Sequence, residues 1–336
     1  MHSASRPVEH AGSGLRILFR APAGRRRGFG HLVRCVALAR AAGVRPLVAL
    51  RGGHDTILAA LRLGADVLDN PSPAVVAALR PDVVVIDDPV PGHARTWVRA
   101  ARAGGSRVVT VHDLGLGAPE GDLVVDGSLC RHARPRRPGL GLLGTSYAVI
   151  DPTIAARPRG GPRPPAAEPP SILVSLGGGP HARRAEALVQ ALRREVPQAR
   201  IRVAAGFVTP ARRTADTHVT WIVPARGLAD ELRSATVAVL AGGVSLYEAC
   251  ALGTPTVAMP VVRSQAPTVR ALAARRAIVG LPFNAAAARS ARDIARLLDD
   301  EGRRQALSAT AQRLIDGRGA ARVARALAAL AERRAA

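Results

Sequence analysis

The stretch from residue 236 to residue 265 restricts the fold of this chain more than any other. Residues 236–240 are β-branched and apolar, which predicts a buried strand, and the strand stops at Gly242 and Gly243. Ser245, with Glu248 three residues later and an apolar run behind it, predicts the start of a helix that Gly253 closes. Residues 256–259 then predict a second buried strand. The result is a βαβ unit whose helix N-terminus presents free N–H groups, and such an end binds anions, usually phosphate.

The same alternation of strand and helix runs through both halves of the chain. Apolar runs at residues 15–19, 44–50, 65–68, 82–86, 107–111 and 122–125 predict parallel strands separated by helices. Six prolines in residues 157–170 mark a linker, and the pattern restarts at residue 171. We therefore expect an α/β protein with two Rossmann-like parallel-sheet domains facing a cleft, residues 1–156 and 171–319. A C-terminal helix over residues 320–336 is free to pack back on the first domain.

The net charge of +23 raises nucleic acid as a partner, but the composition argues against it. All 48 basic residues are arginine and Ala, Gly and Pro are abundant, which is typical of a GC-rich coding sequence. Aromatic residues make up only 2%, so bases have no stacking platform. We expect an anionic small substrate instead of nucleic acid.

Cysteine spacing and hydropathy indicate the compartment. Cys35, Cys130 and Cys250 are odd in number and widely spaced, which disfavours disulfides and metal sites. No apolar run reaches the length of a membrane span, and the first 14 residues are too polar for a signal peptide. We expect a cytoplasmic protein without an integral membrane segment, and the sequence does not determine its oligomeric state.

A glycine-rich turn before the first predicted helix carries a histidine. Gly28, Gly30 and His31 lie between a strand and a helix, but Val33 replaces the third glycine of a dinucleotide fingerprint, which disfavours NAD. His31 either caps the turn or acts as a base, since a helix N-terminus disfavours the imidazolium form. Arg34, one turn further, either faces solvent or belongs to the same site.

Three further features of the sequence have two interpretations each. The glycines at 177–179 (Gly177, Gly178, Gly179) either give a ligand access to the backbone or form a flexible turn. Ser245 and Glu248 form a capping box by their spacing, yet Glu248 is also placed to accept both ribose hydroxyls. Asp87 and Asp113 end strands and either cap the following helices or serve the cleft. No His, Asp or Glu cluster has metal-ligand spacing, so we predict no metal.

Several of these motifs together resemble a known family. They are Gly28-x-Gly30-His31-x-x-Arg34-Cys35 with Arg20 upstream, Asp113 with Asp122-Leu-Val-Val-Asp126, Ile172-Leu-Val-Ser-Leu-Gly-Gly178, and Ala241-Gly-Gly-x-Ser-x-Tyr-Glu-Ala-Cys-x-Leu-Gly-x-Pro255 with Gln265. The chain resembles the nucleotide-sugar hydrolases of pseudaminic acid biosynthesis and the spore-coat polysaccharide glycosyltransferases, which are related to family 28 glycosyltransferases. This resemblance implies a GT-B fold, no metal and no cofactor.

The resemblance also implies an activity and a set of site residues. His31 would serve the water that attacks the anomeric carbon, and Glu248 with the Gly242-Gly243 turn would hold uridine diphosphate (UDP). We expect hydrolysis of a UDP-activated sugar in surface-polysaccharide or pseudaminic-type acid biosynthesis. The alternative is a glycosyltransferase with a sugar or lipid acceptor, and a non-catalytic nucleotide- or nucleic-acid-binding module also stays open. We sort the predicted site residues into three groups by role. The catalytic residue is His31; the nucleotide-binding residues are Gly177, Gly178, Gly179, Gly242, Gly243, Ser245 and Glu248; and the sugar-side candidates are Gly28, Gly30, Arg34, Asp87, Asp113 and Gln265.

Overall fold

The computed structural model describes residues 14–24, 27–112, 120–129, 140–157, 169–177, 181–204, 206, 216–224 and 227–335. Within these ranges the chain forms two parallel sheets, one of seven strands and one of six, each covered by helices. The predicted α/β architecture is confirmed.

The first sheet has the strand order β3-β2-β1-β4-β5-β6-β7. Its strands are β1 (Ile17–Pro22), β2 (Leu47–Arg51), β3 (Asp66–Asp69), β4 (Val83–Ile86), β5 (Arg107–His112), β6 (Leu123–Asp126) and β7 (Leu140–Leu143). The helices between them are α1 (Gly30–Ala41), α2 (His54–Arg62), α3 (Val75–Leu79) and α4 (Pro91–Ala103). Every residue of β4 is buried, as expected for a strand covered on both faces.

The second sheet has the order β10-β9-β8-β11-β12-β13. Its strands are β8 (Ser171–Ser175), β9 (Arg200–Ala204), β10 (Val219–Ile222), β11 (Val237–Leu240), β12 (Thr256–Ala258) and β13 (Val279–Gly280). The helices are α5 (Ala182–Glu195), α6 (Ala229–Ser234), α7 (Val244–Leu252), α8 (Ala266–Ala274), α9 (Ala287–Asp299), α10 (Glu301–Leu314) and α11 (Gly319–Ala335). The short edge strands β7 and β13 were missed by the sequence analysis, because neither has a run of β-branched residues.

Each sheet reverses its winding next to its first strand. In the first sheet β1 lies between β2 and β4, and in the second β8 lies between β9 and β11. Helices that leave such a pair of strands in opposite directions open a crevice at the carboxyl edge, which is where α/β sheets bind ligands. The topology therefore places one crevice in each domain.

The C-terminal helix α11 packs against the first domain. Val323 and Leu327 are fully buried in the same apolar cluster as Phe19 and Leu32 of the first sheet and α1. Gly319 lies so close to the backbone of Ala148 that a Cβ atom there would meet its carbonyl oxygen. Among the helices that the structure describes, none is both long and apolar enough to span a bilayer.

Candidate functional site

A cavity of about 280 Å³ lies between the two domains, at the carboxyl edges of both sheets. This volume is close to the lower end of the range of about 300–1,000 Å³ for ligand pockets. The predicted site residues that line it are Gly28, Gly30, His31, Arg34, Gly177, Gly243, Ser245, Glu248 and Gln265. Asp87 and Gly242 lie directly behind this lining, whereas Asp113, Gly178 and Gly179 fall outside the described residues.

His31, Arg34 and Asp87 form one hydrogen-bonded cluster on the first domain. His31 Nδ1 lies 2.7 Å from Asp87 Oδ1, and Arg34 binds both carboxylate oxygens, with Nε at 2.8 Å from Oδ2 and Nη2 at 2.9 Å from Oδ1. His31 and Arg34 share a face of α1 because they are three residues apart. Asp87 reaches them because β4 is paired with β1, and the N–H of Asp87 donates to the carbonyl of Arg20 at 2.9 Å.

The contacts of Nδ1 determine which tautomer of His31 suits the cluster. Arg34 Nη2 also lies 2.9 Å from Nδ1, but a guanidinium only donates and an ionised carboxylate only accepts. An unprotonated Nδ1 would set its lone pair against Asp87 at 2.7 Å, so Nδ1 carries the proton and donates it to Asp87. Nε2 is then the proton acceptor of the ring, as in a histidine oriented by a carboxylate.

Asp87 is a buried but ionised carboxylate, with only 1% of the residue exposed. Burial alone would raise the pKa of Asp87, but Arg34 and His31 outweigh it and hold this pKa well below its usual value. Asp87 therefore stays charged throughout the neutral range and accepts the hydrogen bond from Nδ1 of His31. The possibility that Arg34 only faces solvent is excluded, because Arg34 is buried against Asp87.

The turn before α1 has a conformation that needs glycine. Gly28 has a φ of +75°, in the left-handed region that other residues avoid, and its N–H donates to the carbonyl of Gly24 at 2.7 Å. This tight turn brings the chain from β1 directly into α1, and His31 becomes the second residue of the helix.

Asp88, the residue after Asp87, is held away from the cavity by two arginines. Asp88 accepts the N–H of Val90 at 3.0 Å and lies between Arg20, at 3.6 Å, and Arg51, at 3.2 Å. The guanidinium of Arg20 also stacks on Trp97, 4.9 Å from the ring centre. Asp88 thus fixes the loop that presents Asp87. Neither acid caps α4, since the residue that precedes this helix is Val90.

The second-domain side of the cavity is formed by the N-terminus of α7. Gly242 has no room for a side chain, because a Cβ atom there would lie 2.7 Å from Cβ of Gln265. Gln265 lines the cavity, and its Oε1 accepts the N–H of Val261 at 2.9 Å. This close approach fixes the loop between β11 and α7 against the segment after β12.

The predicted capping box at Ser245 is wrong. The residue preceding α7 is Gly243, which makes no side-chain cap, and Ser245 is the second residue of the helix. Glu248 instead accepts hydrogen bonds from the side chain of Ser245 and from the backbone N–H of Asp151, which follows β7 of the first sheet. Burial, followed by the nearby charge of Asp151, raises the pKa of Glu248 to about 7.

Three helix N-termini open onto this cavity. The first residues of α1 and α7 face each other, since a Cβ atom on Gly30 would lie 3.5 Å from Val244. His181, which immediately precedes α5, also lines the cavity, and none of the three helices has an acid in its first turn. Among the described lining residues Glu248 is the only acid, so the cavity is suited to an anion.

Sequence reasoning missed two residues of this site. His181 follows the glycine run at 177–179, and that position immediately before α5 was the available signal. Asp151 gives no local signal, because its contact with Glu248 depends on how the domains meet. Across the described ranges, no three His, Cys, Asp or Glu side chains come together in a way that could hold a metal ion. Cys35 and Cys250 are buried and free, and Cys130 lies outside those ranges.

The comparisons with known proteins identify the fold. No protein-family model matches the chain, and no curated protein matches it. A spinosyn rhamnosyltransferase complexed with thymidine diphosphate is 19% identical, with 94% of this chain and 100% of that chain aligned and a TM-score of 0.65. The chain has the GT-B fold.

Two further glycosyltransferases agree with this GT-B assignment. A spinosyn forosaminyltransferase is 20% identical over 95% of this chain and 100% of its own, with a TM-score of 0.64. A calicheamicin glycosyltransferase is 19% identical over 95% of this chain and 99% of its own, with a TM-score of 0.58. The predicted GT-B fold is confirmed, whereas hydrolysis and the pseudaminic acid pathway find no support in these comparisons.

Proposed function

We propose that this GT-B protein is a glycosyltransferase that moves a sugar from a nucleoside diphosphate to the hydroxyl group of an acceptor. The observation that carries the proposal is the pair of His31 and Asp87, 2.7 Å apart, at a cavity onto which three helix N-termini open. A base and an anion site are the two groups that displacement of a diphosphate requires. The three neighbours described above are named glycosyltransferases, which favours an acceptor over water as the nucleophile.

Each group would have one role in the reaction. Nε2 of His31 accepts the proton of the acceptor hydroxyl as its oxygen attacks the anomeric carbon. The anomeric C–O bond breaks and its electron pair goes to the diphosphate, so the configuration of that carbon is inverted. Asp87 stabilises the imidazolium that forms, and the N-terminus of α7 offsets the charge on the diphosphate.

The nucleotide is expected to be held by the second domain. The neighbour complexed with thymidine diphosphate (TDP) supports a pyrimidine nucleoside diphosphate in this cavity. Glu248, which lines the cavity, would accept the two ribose hydroxyls of UDP, one of which TDP lacks. We therefore keep UDP as the expected nucleotide, with TDP as the direct comparison.

A two-part assay tests the proposal. The protein is incubated with panels of UDP- and TDP-sugars, with and without sugar and lipid-linked acceptors, and nucleotide release and product mass are measured. We expect release that depends on an acceptor and a product heavier by one sugar. Equal release with and without acceptors would identify water as the nucleophile and restore hydrolysis, and binding of neither nucleotide would refute the site.

A further inference from the structure

His181 lies immediately before α5 and lines the cavity. Its carbonyl accepts the first hydrogen bonds of α5, from the N–H groups of Arg184 and Ala185 at 3.1 and 3.0 Å. Its side chain makes no capping bond to the helix and lines the cavity alongside Gly177. The N-terminus of α5 therefore presents both the N–H groups of its first turn and an imidazole that makes no capping bond to the helix.

Among the residues that the structure describes, the nearest charge to His181 is the positive charge of Arg184. Arg184 lies one turn further along α5, and its Nη2 is buried with no hydrogen-bond partner among the residues that the structure describes. The other titratable groups among the described lining residues are Arg27, His31 and Arg34 of the first domain and Glu248 of α7. Burial, and then the charge of Arg184, lower the pKa of His181, so its ring is neutral in the empty protein near pH 7.

We propose that His181 binds the diphosphate and takes up a proton as it does so. The inference rests on the proposed function, because it assigns a residue to the leaving-group side of that reaction. The two phosphate charges outweigh the repulsion from Arg184, and the proton comes from solvent. When the anomeric C–O bond breaks, the electron pair moves to a diphosphate oxygen, and the imidazolium N–H donates a hydrogen bond to that oxygen. His31 and His181 would thus act on opposite sides of the reacting carbon.

Titration calorimetry with UDP, in two buffers of different ionisation enthalpy, measures this proton uptake. Glu248→Gln serves as the background, because the pKa of Glu248 is raised to about 7 and this carboxylate would also take up a proton near neutral pH. In this background we expect uptake of a fraction of a proton at pH 7.5, and UDP binding that tightens toward pH 6.5. His181→Gln should abolish the uptake and weaken UDP binding about tenfold to a hundredfold, the range expected for a charged hydrogen bond.

The controls separate this inference from the proposed function. His218→Gln removes an exposed histidine of the same domain outside the cavity and should change neither quantity. Uridine, which lacks phosphate, should bind without proton uptake and equally well to the Glu248→Gln background with and without His181→Gln. If His181→Gln folds poorly, His181→Asn repeats the test. Unchanged uptake and UDP affinity in both variants would overturn the role of His181 and leave the glycosyltransferase proposal standing. Absence of UDP and TDP binding to the unmodified protein would overturn both.

Discussion

Replacing Glu248 by glutamine should stabilise the empty protein while it weakens nucleotide binding. In the folded chain the pKa of Glu248 is raised from its ordinary value of 4.5 to about 7, first by burial and then by Asp151. Between these two values the folded protein holds a proton that the unfolded chain has released. Its free energy of unfolding therefore falls as the pH rises from 4.5 to 7.

The size of this effect follows from the same two values. Each pH unit between 4.5 and about 7 corresponds to about 1.4 kcal/mol, so the folded protein loses about 3 kcal/mol once Glu248 is ionised. Glutamine has the shape of the protonated acid and does not ionise. Glu248→Gln should therefore be more stable than the unmodified protein by about 1–3 kcal/mol at pH 8. The lower figure allows for the acceptor oxygen that the ionised carboxylate has and the amide lacks. At pH 4.5 the two proteins should be equally stable.

Two measurements on the same samples test this reasoning. The free energy of unfolding, measured with urea from pH 4.5 to 8, should fall with rising pH in the unmodified protein. This fall should be absent in Glu248→Gln. Calorimetry should show UDP binding weakened by about 1–3 kcal/mol, because the ribose hydroxyls lose a charged acceptor. Glu195→Gln, at an exposed position of α5, is the matched control and should change neither.

The opposite pattern would refute the argument. Equal slopes in the two proteins would mean that the folded structure does not disfavour ionisation of Glu248. A lost slope with unchanged UDP affinity would show that the carboxyl does not bind the ribose.

Three further predictions concern the chemistry of the site. His31→Asn should leave UDP affinity unchanged and lower the turnover rate about 10²–10⁴-fold, and near-normal turnover would exclude His31 as the base. Asp87→Asn should reduce turnover and also lower the melting temperature, because it leaves the buried Arg34 without its counterion; a protein with normal kcat would show that Asp87 is only structural. Turnover should survive treatment with a chelator, and loss that magnesium or manganese restores would contradict the prediction of a metal-free reaction.

Local sequence determined the elements that carry the site. Glycines at fixed offsets after apolar runs predicted the turns before α1 and α7, because a sharp exit from a buried strand needs glycine. The position of His31 at one of these turns could therefore be predicted without any knowledge of distant residues. The alternation of strand and helix likewise predicted two α/β domains, since parallel strands require crossover helices.

Only the tertiary structure decided what surrounds these residues. Asp87 follows His31 by 56 positions, and the two meet because β4 inserts beside β1 and not beside β3. The spacing of Ser245 and Glu248 suggested a capping box, but the helix begins at Val244, two residues earlier than that box requires, and Glu248 accepts a hydrogen bond from the backbone of Asp151. A local pattern predicts backbone conformation, whereas ionisation and hydrogen bonding depend on groups that strand order and domain packing bring within a few ångströms.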